Sequence, residues 1–99
     1  MSAYFVFTRE RTLDAKEMEI YAQMVRATFD GHRVRLLATY GQHEDLEGAP
    51  TEGTVIAAFP SMEAAKAWYD SPAYREVREH RFLGAVYRAT LVQGIERRN

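Results

Sequence analysis

Between Thr54 and Tyr74 the chain changes character twice, and this stretch limits the folds open to it. Thr54-Val55-Ile56-Ala57-Ala58-Phe59 is β-branched and aromatic, too short for a helix, and halts at Pro60. From Ser61 the spacing of Met62, Ala65, Trp68 and Tyr69 is helical, with Ser61 as its cap, until Ser71-Pro72 breaks it. No residue from Val55 to Phe59 is charged or strongly polar, so the strand expects cover on both faces.

The flanking segments supply partners for that strand. Ala3 to Thr8 reads as a second strand, with Tyr4, Val6 and Thr8 on one face and Phe5 and Phe7 on the other, followed by a charged connection at Arg9-Glu10-Arg11. Thr12 or Asp14 can cap a helix, Asp14 being favoured because Glu17 stands three residues on as in a capping box, and Met18, Tyr21, Ala22, Val25 and Phe29 form its apolar stripe before Gly31 stops it. From Arg33 to Tyr40 the period is two, with Val34, Leu36, Ala38 and Tyr40 on one face. A loop rich in glycine and acid runs from Gly41 to Gly53. Pro72 opens a further helix to about His80, with Ser71 as its cap, and Gly84 to Gly94 alternates as the last strand. Residues 1–95 are expected to form one domain and 96–99 a loose tail.

The order strand, helix, strand, strand, helix, strand predicts an α+β fold, the ferredoxin-like βαββαβ antiparallel sheet with helices on one face. The other face is left bare. Because the first and third strands are apolar on both sides, a second copy packed sheet to sheet about a two-fold axis is the economical cover, and a homodimer is expected. The alternative is a face broken by Thr and Arg and wetted by solvent.

Composition narrows the function. A net charge of −1 with scattered Lys and Arg argues against a nucleic-acid partner. Zero cysteines remove disulfides, thiolate metal sites and cysteine nucleophiles. No apolar run is long enough to cross a bilayer and the start lacks a signal peptide, so no membrane association and a cytoplasmic address are expected. There is no glycine-rich phosphate loop, nucleophile elbow or zinc-binding His-Glu motif, and no cofactor or metal is assigned.

The densest polar cluster is His43, Glu44, Asp45 and Glu47, where a carboxylate beside an imidazole can move a proton to or from a carbonyl compound; the plain alternative is a solvated acidic loop. Glu47 and His43 are the candidate catalytic residues. Arg81 either binds a ligand carboxylate or satisfies helix-end carbonyls. Trp68, Tyr69, Tyr74 and Tyr87 either line a pocket for a flat ligand between helices and sheet or pack the core. Glu76 and His80, one turn apart, have the spacing of a metal pair without a third ligand, and His32 reads as an exposed helix-end residue.

Phe59-Pro60-Ser61-Met62-Glu63-Ala64-Ala65 followed by Trp68-Tyr69-Asp70-Ser71-Pro72-Ala73-Tyr74, with Leu46-Glu47-Gly48 upstream and Arg81 downstream, resembles the small bacterial proteins called domain of unknown function thirteen-thirty, within the dimeric α/β-barrel group. The resemblance spans nearly the whole chain. It implies the ferredoxin-like fold and dimerisation, singles out Glu47 in its motif, and implies no activity. Members often carry Glu where this chain has Ala58 and Gly-Gly where it has Tyr40-Gly41, so a site built on that acid would be absent here. The function expected is therefore small-molecule binding, of an apolar or carbonyl-bearing compound in the helix–sheet cleft. Its rivals are a cofactor-independent oxygenase or isomerase, with Glu47 or His43 as base and Arg81 holding the anion, and a non-catalytic structural or regulatory dimer.

Overall fold

The computed structural model describes residues 2–95; the tail expected at 96–99 lies outside the described residues. Strand β1 (Ala3–Thr12) leads to helix α1 (Ala15–Met24) and a 3-10 turn (Arg26–Phe29), then β2 (Arg35–Thr39), β3 (Gly53–Phe59), helices α2 (Met62–Tyr69) and α3 (Pro72–Gly84), and β4 (Ala85–Gln93). The strands form one sheet in the order β2-β3-β1-β4, every neighbouring pair antiparallel. This is the ferredoxin-like α+β arrangement that the element order predicts.

Local chemistry fixes each helix start. The Asp14 carboxylate accepts from the backbone N–H of Lys16 at 3.0 Å and of Glu17 at 3.4 Å. The reciprocal half of the capping box is not made. Glu17 instead reaches across to α3, where its carboxylate meets His80 Nδ1 at 2.6 Å, and the Asp14 N–H donates to the Gly84 carbonyl at 2.9 Å. His80 is thus spent on tying α1 to α3, not on Glu76. Ser61 accepts from Ala64 N–H, and Ser71 accepts from Tyr74 N–H while donating to the Trp68 carbonyl, so the break between α2 and α3 is itself hydrogen-bonded.

Two strands differ from the sequence reading. Strand β1 continues through Arg9-Glu10-Arg11 to Thr12, because β4 keeps pairing with it across a register shift between Arg9 and Arg11. Strand β2 is shorter than the alternation from Arg33 to Tyr40 suggests. A register shift between Leu36 and Ala38 breaks its period: Leu36 pairs with Ala57, Ala38 with Ile56, and Thr39 with Val55. Ala38 therefore leaves the face of Leu36, and Thr39 joins it.

One sheet face carries the helices. Ala3, Phe5 and Phe7 of β1 and Ala57 and Phe59 of β3 are buried against α2 and α3. Trp68 is 1 % exposed at the centre, its ring 4.0 Å from that of Tyr74 and 5.2 Å from that of Phe29 between centroids. Its indole N–H donates to Thr28 Oγ1 at 3.0 Å, which satisfies the one polar atom such a ring buries. The opposite face presents Tyr4, Val6 and Ile56, half-buried, and Val92, exposed, with Arg35 and Arg88 toward the edges. No described helix is long and apolar enough to cross a membrane.

Candidate functional site

A cavity of about 290 Å³ lies between α1 with its 3-10 turn and the helix-side face of the sheet. Most of its wall is apolar: Phe7, Met18, Ala22, Val25, Phe29, Leu36, Val55, Ala57 and Trp68. The lining residues that are also exposed, Ala22, Arg26, Thr39 and Tyr40, mark its mouth between the helix and the end of β2. The volume is at the small end of ligand pockets, roughly 300 Å³ upward, and suits one compact ring system.

The polar groups form one seam along the remaining wall. Arg81, on α3, is 3 % exposed, and its guanidinium carbon lies 5.3 Å from the ring centre of Phe7, 5.1 Å from Phe82 and 5.0 Å from Tyr87. Beside it stands Tyr74, whose hydroxyl oxygen is 2.7 Å from that of Tyr21. On the other side, the hydroxyls of Tyr87 and Tyr40 hydrogen-bond to each other, and the Arg9 guanidinium stacks 4.7 Å over the Tyr40 ring. Arg9 Nε lies 3.1 Å from Glu52 Oε1, close enough for ion pairing though not aligned as a hydrogen bond.

Charge along this seam is unbalanced. Glu52 answers Arg9, but no described carboxylate pairs with Arg81, whose buried Nε has no hydrogen-bond partner among the described residues. Burial opposes the charge on Arg81, yet the oxygens of Tyr74 and Tyr21 shift its pKa upward from an already high value, so it is a cation at any physiological pH. Burial pushes the Tyr21 and Tyr74 phenols up, and burial followed by the hydrogen bond to Tyr40 does the same to Tyr87. The three rings around Arg81 repay part of its desolvation, at about 0.5–2 kcal/mol per cation–π contact. An isolated buried cation costs more than that unless an anion joins it.

Tyr40 is held in an unusual way. Its φ is +54°, the left-handed region that costs a side-chain-bearing residue about 1–2 kcal/mol. Its ring lies across Gly53, where a Cβ would fall 2.5 Å from Tyr40 Cδ1, so only glycine fits beneath it.

Of the candidate residues, Arg81, Trp68 and Tyr87 come together on the cavity wall, and Tyr74 stands directly behind, against Trp68 and Tyr21. His43 and Glu47 lie on the exposed loop between β2 and β3, outside the lining. His43 sits 3.4 Å from Asp45, and Asp45 accepts from the N–H and hydroxyl of Thr51, which draw its carboxyl below the usual range; this closes the loop on itself. Arg9, Tyr21 and Tyr40 also shape the site. The sequence reading places Arg9 in a charged connection, although it continues the Phe5, Phe7 alternation in the strand, and nothing in sequence spacing brings Tyr40 to Tyr87.

Ala58 points to the bare sheet face, opposite Tyr4 and Arg35, so an acid at this position would face away from this cavity.

Comparison with known proteins places the chain. The family model described as Domain of unknown function (DUF1330) matches residues 2–95. No curated protein matches. Among solved structures, the RPA0582 protein of unknown function from Rhodopseudomonas palustris superimposes with a TM-score of 0.73 at 19% identity, over 97% of this chain and 84% of that one. A dimeric ferredoxin-like protein of unknown function from Thermobifida fusca gives 0.63 at 13%, over 92% and 89%. SnoaB, a cofactor-independent oxygenase from Streptomyces nogalater, gives 0.57 at 13%, over 97% and 95%. At such identities the likeness speaks for the fold alone.

Proposed function

Since the chain belongs to the DUF1330 family, whose description assigns no activity, function has to be sought in the cavity, and we propose that this protein binds a small, flat organic anion there with Arg81 as its counter-ion. The observation that carries this reading is a guanidinium 3 % exposed, without a carboxylate partner, on the wall of an otherwise apolar cavity. A carboxylate or enolate oxygen supplies what Arg81 lacks, and the rings of Trp68, Phe7 and Phe29 suit a planar body. Arg26 at the mouth adds attraction for the same charge.

Binding is favoured over cofactor-independent oxygenation, the activity named for the Streptomyces nogalater protein. The rival reading of this chain as an oxygenase or isomerase needs His43 or Glu47 at the ligand as base. The lining offers no carboxylate or imidazole, and His43 and Glu47 stand outside it.

The test uses benzoate and its neutral isostere benzamide, read by thermal shift and by quenching of the single tryptophan, Trp68. Benzoate at a hundred times its Kd adds about 2.7 kcal/mol of stability, benzamide little, and Arg81→Gln abolishes the difference. Equal binding of the two probes, or unchanged benzoate binding by Arg81→Gln, defeats the reading.

The same reasoning extends to assembly. Tyr4, Val6, Ile56 and Val92 share the face that no helix covers, and the Thermobifida fusca protein of similar fold is described as dimeric. A homodimer through these faces buries them. Sedimentation at micromolar concentration is expected to give twice the chain mass, and a single species at monomer mass refutes it.

A further inference from the structure

We infer that Tyr40 determines which anions the cavity accepts, by donating its hydroxyl hydrogen to a second oxygen on a ligand held at Arg81. The inference rests on the anion-binding role proposed for that arginine and adds a second recognition point to it.

Three observations converge on Tyr40. The first is its cost. A tyrosine with φ of +54° occupies a conformation that glycine adopts freely, and the residue is 41% exposed, so burial does little to repay the strain. The second is the effort made to hold it. Gly53 clears the space beneath the ring, Arg9 stacks above it, Tyr87 bonds its hydroxyl, and the Tyr40 N–H donates to the Thr54 carbonyl at 2.9 Å. A position that strains the backbone and is then fixed from four directions is built for something other than stability.

The third is hydrogen-bond accounting. Two hydroxyls bring two hydrogens, and their mutual bond uses one. Either hydroxyl can be the donor of that bond, and with Tyr87 as donor the Tyr40 hydrogen is left to turn toward the cavity mouth. In that arrangement the hydrogen left over belongs to Tyr40, the more exposed of the two tyrosines. Tyr40 lines the cavity at its mouth, so a ligand anchored inside on Arg81 would present its outer end to this donor. The ligand class that satisfies both points is a planar monoanion carrying a second oxygen, a hydroxyl or carbonyl, away from its charged group.

The decisive variant is Tyr40→Phe, which keeps the ring, its seat on Gly53 and the Arg9 contact while removing only the donor. Affinities for benzoate and for 2-, 3- and 4-hydroxybenzoate are measured by Trp68 quenching. Wild type is expected to bind one hydroxybenzoate about tenfold tighter than benzoate. Tyr40→Phe brings that ratio to about one while leaving benzoate within about twofold of wild type. No preference in wild type, or a preference that survives in Tyr40→Phe, overturns the inference. Arg81→Gln separates the two layers: loss of all four probes supports the anchor, whereas retained binding with the Tyr40 preference intact defeats the anchor and leaves the donor standing. Failure of wild type to bind any of the four defeats both.

Discussion

Replacing Gly53 by alanine drives a methyl group to 2.5 Å from Tyr40 Cδ1, and the ring cannot move clear without surrendering what holds it. It would give up its hydroxyl bond to Tyr87, about 1 kcal/mol, and its stacking under Arg9, about 0.5–1 kcal/mol. Against these, Gly to Ala within a strand gains roughly 0.5–1 kcal/mol of backbone entropy. The net expectation is a loss of about 1 kcal/mol, a fall of roughly 4–8 °C in Tm for a domain of this size. In a Tyr40→Gly background the methyl group meets no ring, so the same Gly53→Ala change should stabilise by about 0.5–1 kcal/mol. The sign reverses, and the coupling is about 1.5–2 kcal/mol, readable by urea denaturation followed by circular dichroism. Equal effects of Gly53→Ala in the two backgrounds would refute the placement of Tyr40 over Gly53, and with it the account of its strained backbone.

Two further outcomes follow from buried and tethering hydrogen bonds. Thr28 is 4 % exposed and accepts from the Trp68 indole; Thr28→Val strands that N–H at a cost of about 1–3 kcal/mol, whereas Thr28→Ser should lose much less, as thermal melts will show. The Glu52 carboxylate accepts from the Thr12 N–H at 3.0 Å and from its hydroxyl at 2.6 Å, which holds its carboxyl below its ordinary value of 4.5. Its contribution is therefore complete above that value and lost as pH falls through the lower folded one, so Glu52→Gln should flatten the acid limb of a stability–pH profile below about pH 4.5.

The architecture was legible because its signals are local. The apolar run ending at Phe59, the caps at Asp14, Ser61 and Ser71, and the helical spacing through Trp68 each fix an element from a few neighbouring residues. The site was legible only in part. Arg81, Trp68 and Tyr87 stand out as a cation and aromatics, but their meeting depends on how α3 returns onto β4. Tyr40 was hidden by two facts that no periodicity carries: a register shift that rotates the end of β2, and a glycine one strand away that makes room for a ring. Arg9 was obscured because a charged triplet reads as a turn, and it is kept extended by pairing with Gly53 of β3 and Tyr87 of β4. The prominence of His43 and Glu47 came from acid density, which in a loop more often reflects internal hydrogen bonding such as that of Asp45 with Thr51.

The Gly84 carbonyl accepts from both Leu13 at 2.7 Å and Asp14 at 2.9 Å, so the exit from β1 and the end of α3 are indexed to one oxygen atom. Chain length is consequently frozen on either side of it. One residue inserted in α3 between Arg81 and that oxygen would carry the guanidinium about 100° around the helix and about 1.5 Å along it, out of reach of its rings. From Gly41 to Thr51 the loop ties to itself, His43 and Asp45 bonding Thr51, and only at Glu52 is the chain pinned to Arg9 and Thr12; a residue inserted at the exposed loop tip should therefore leave the cavity dimensions unchanged.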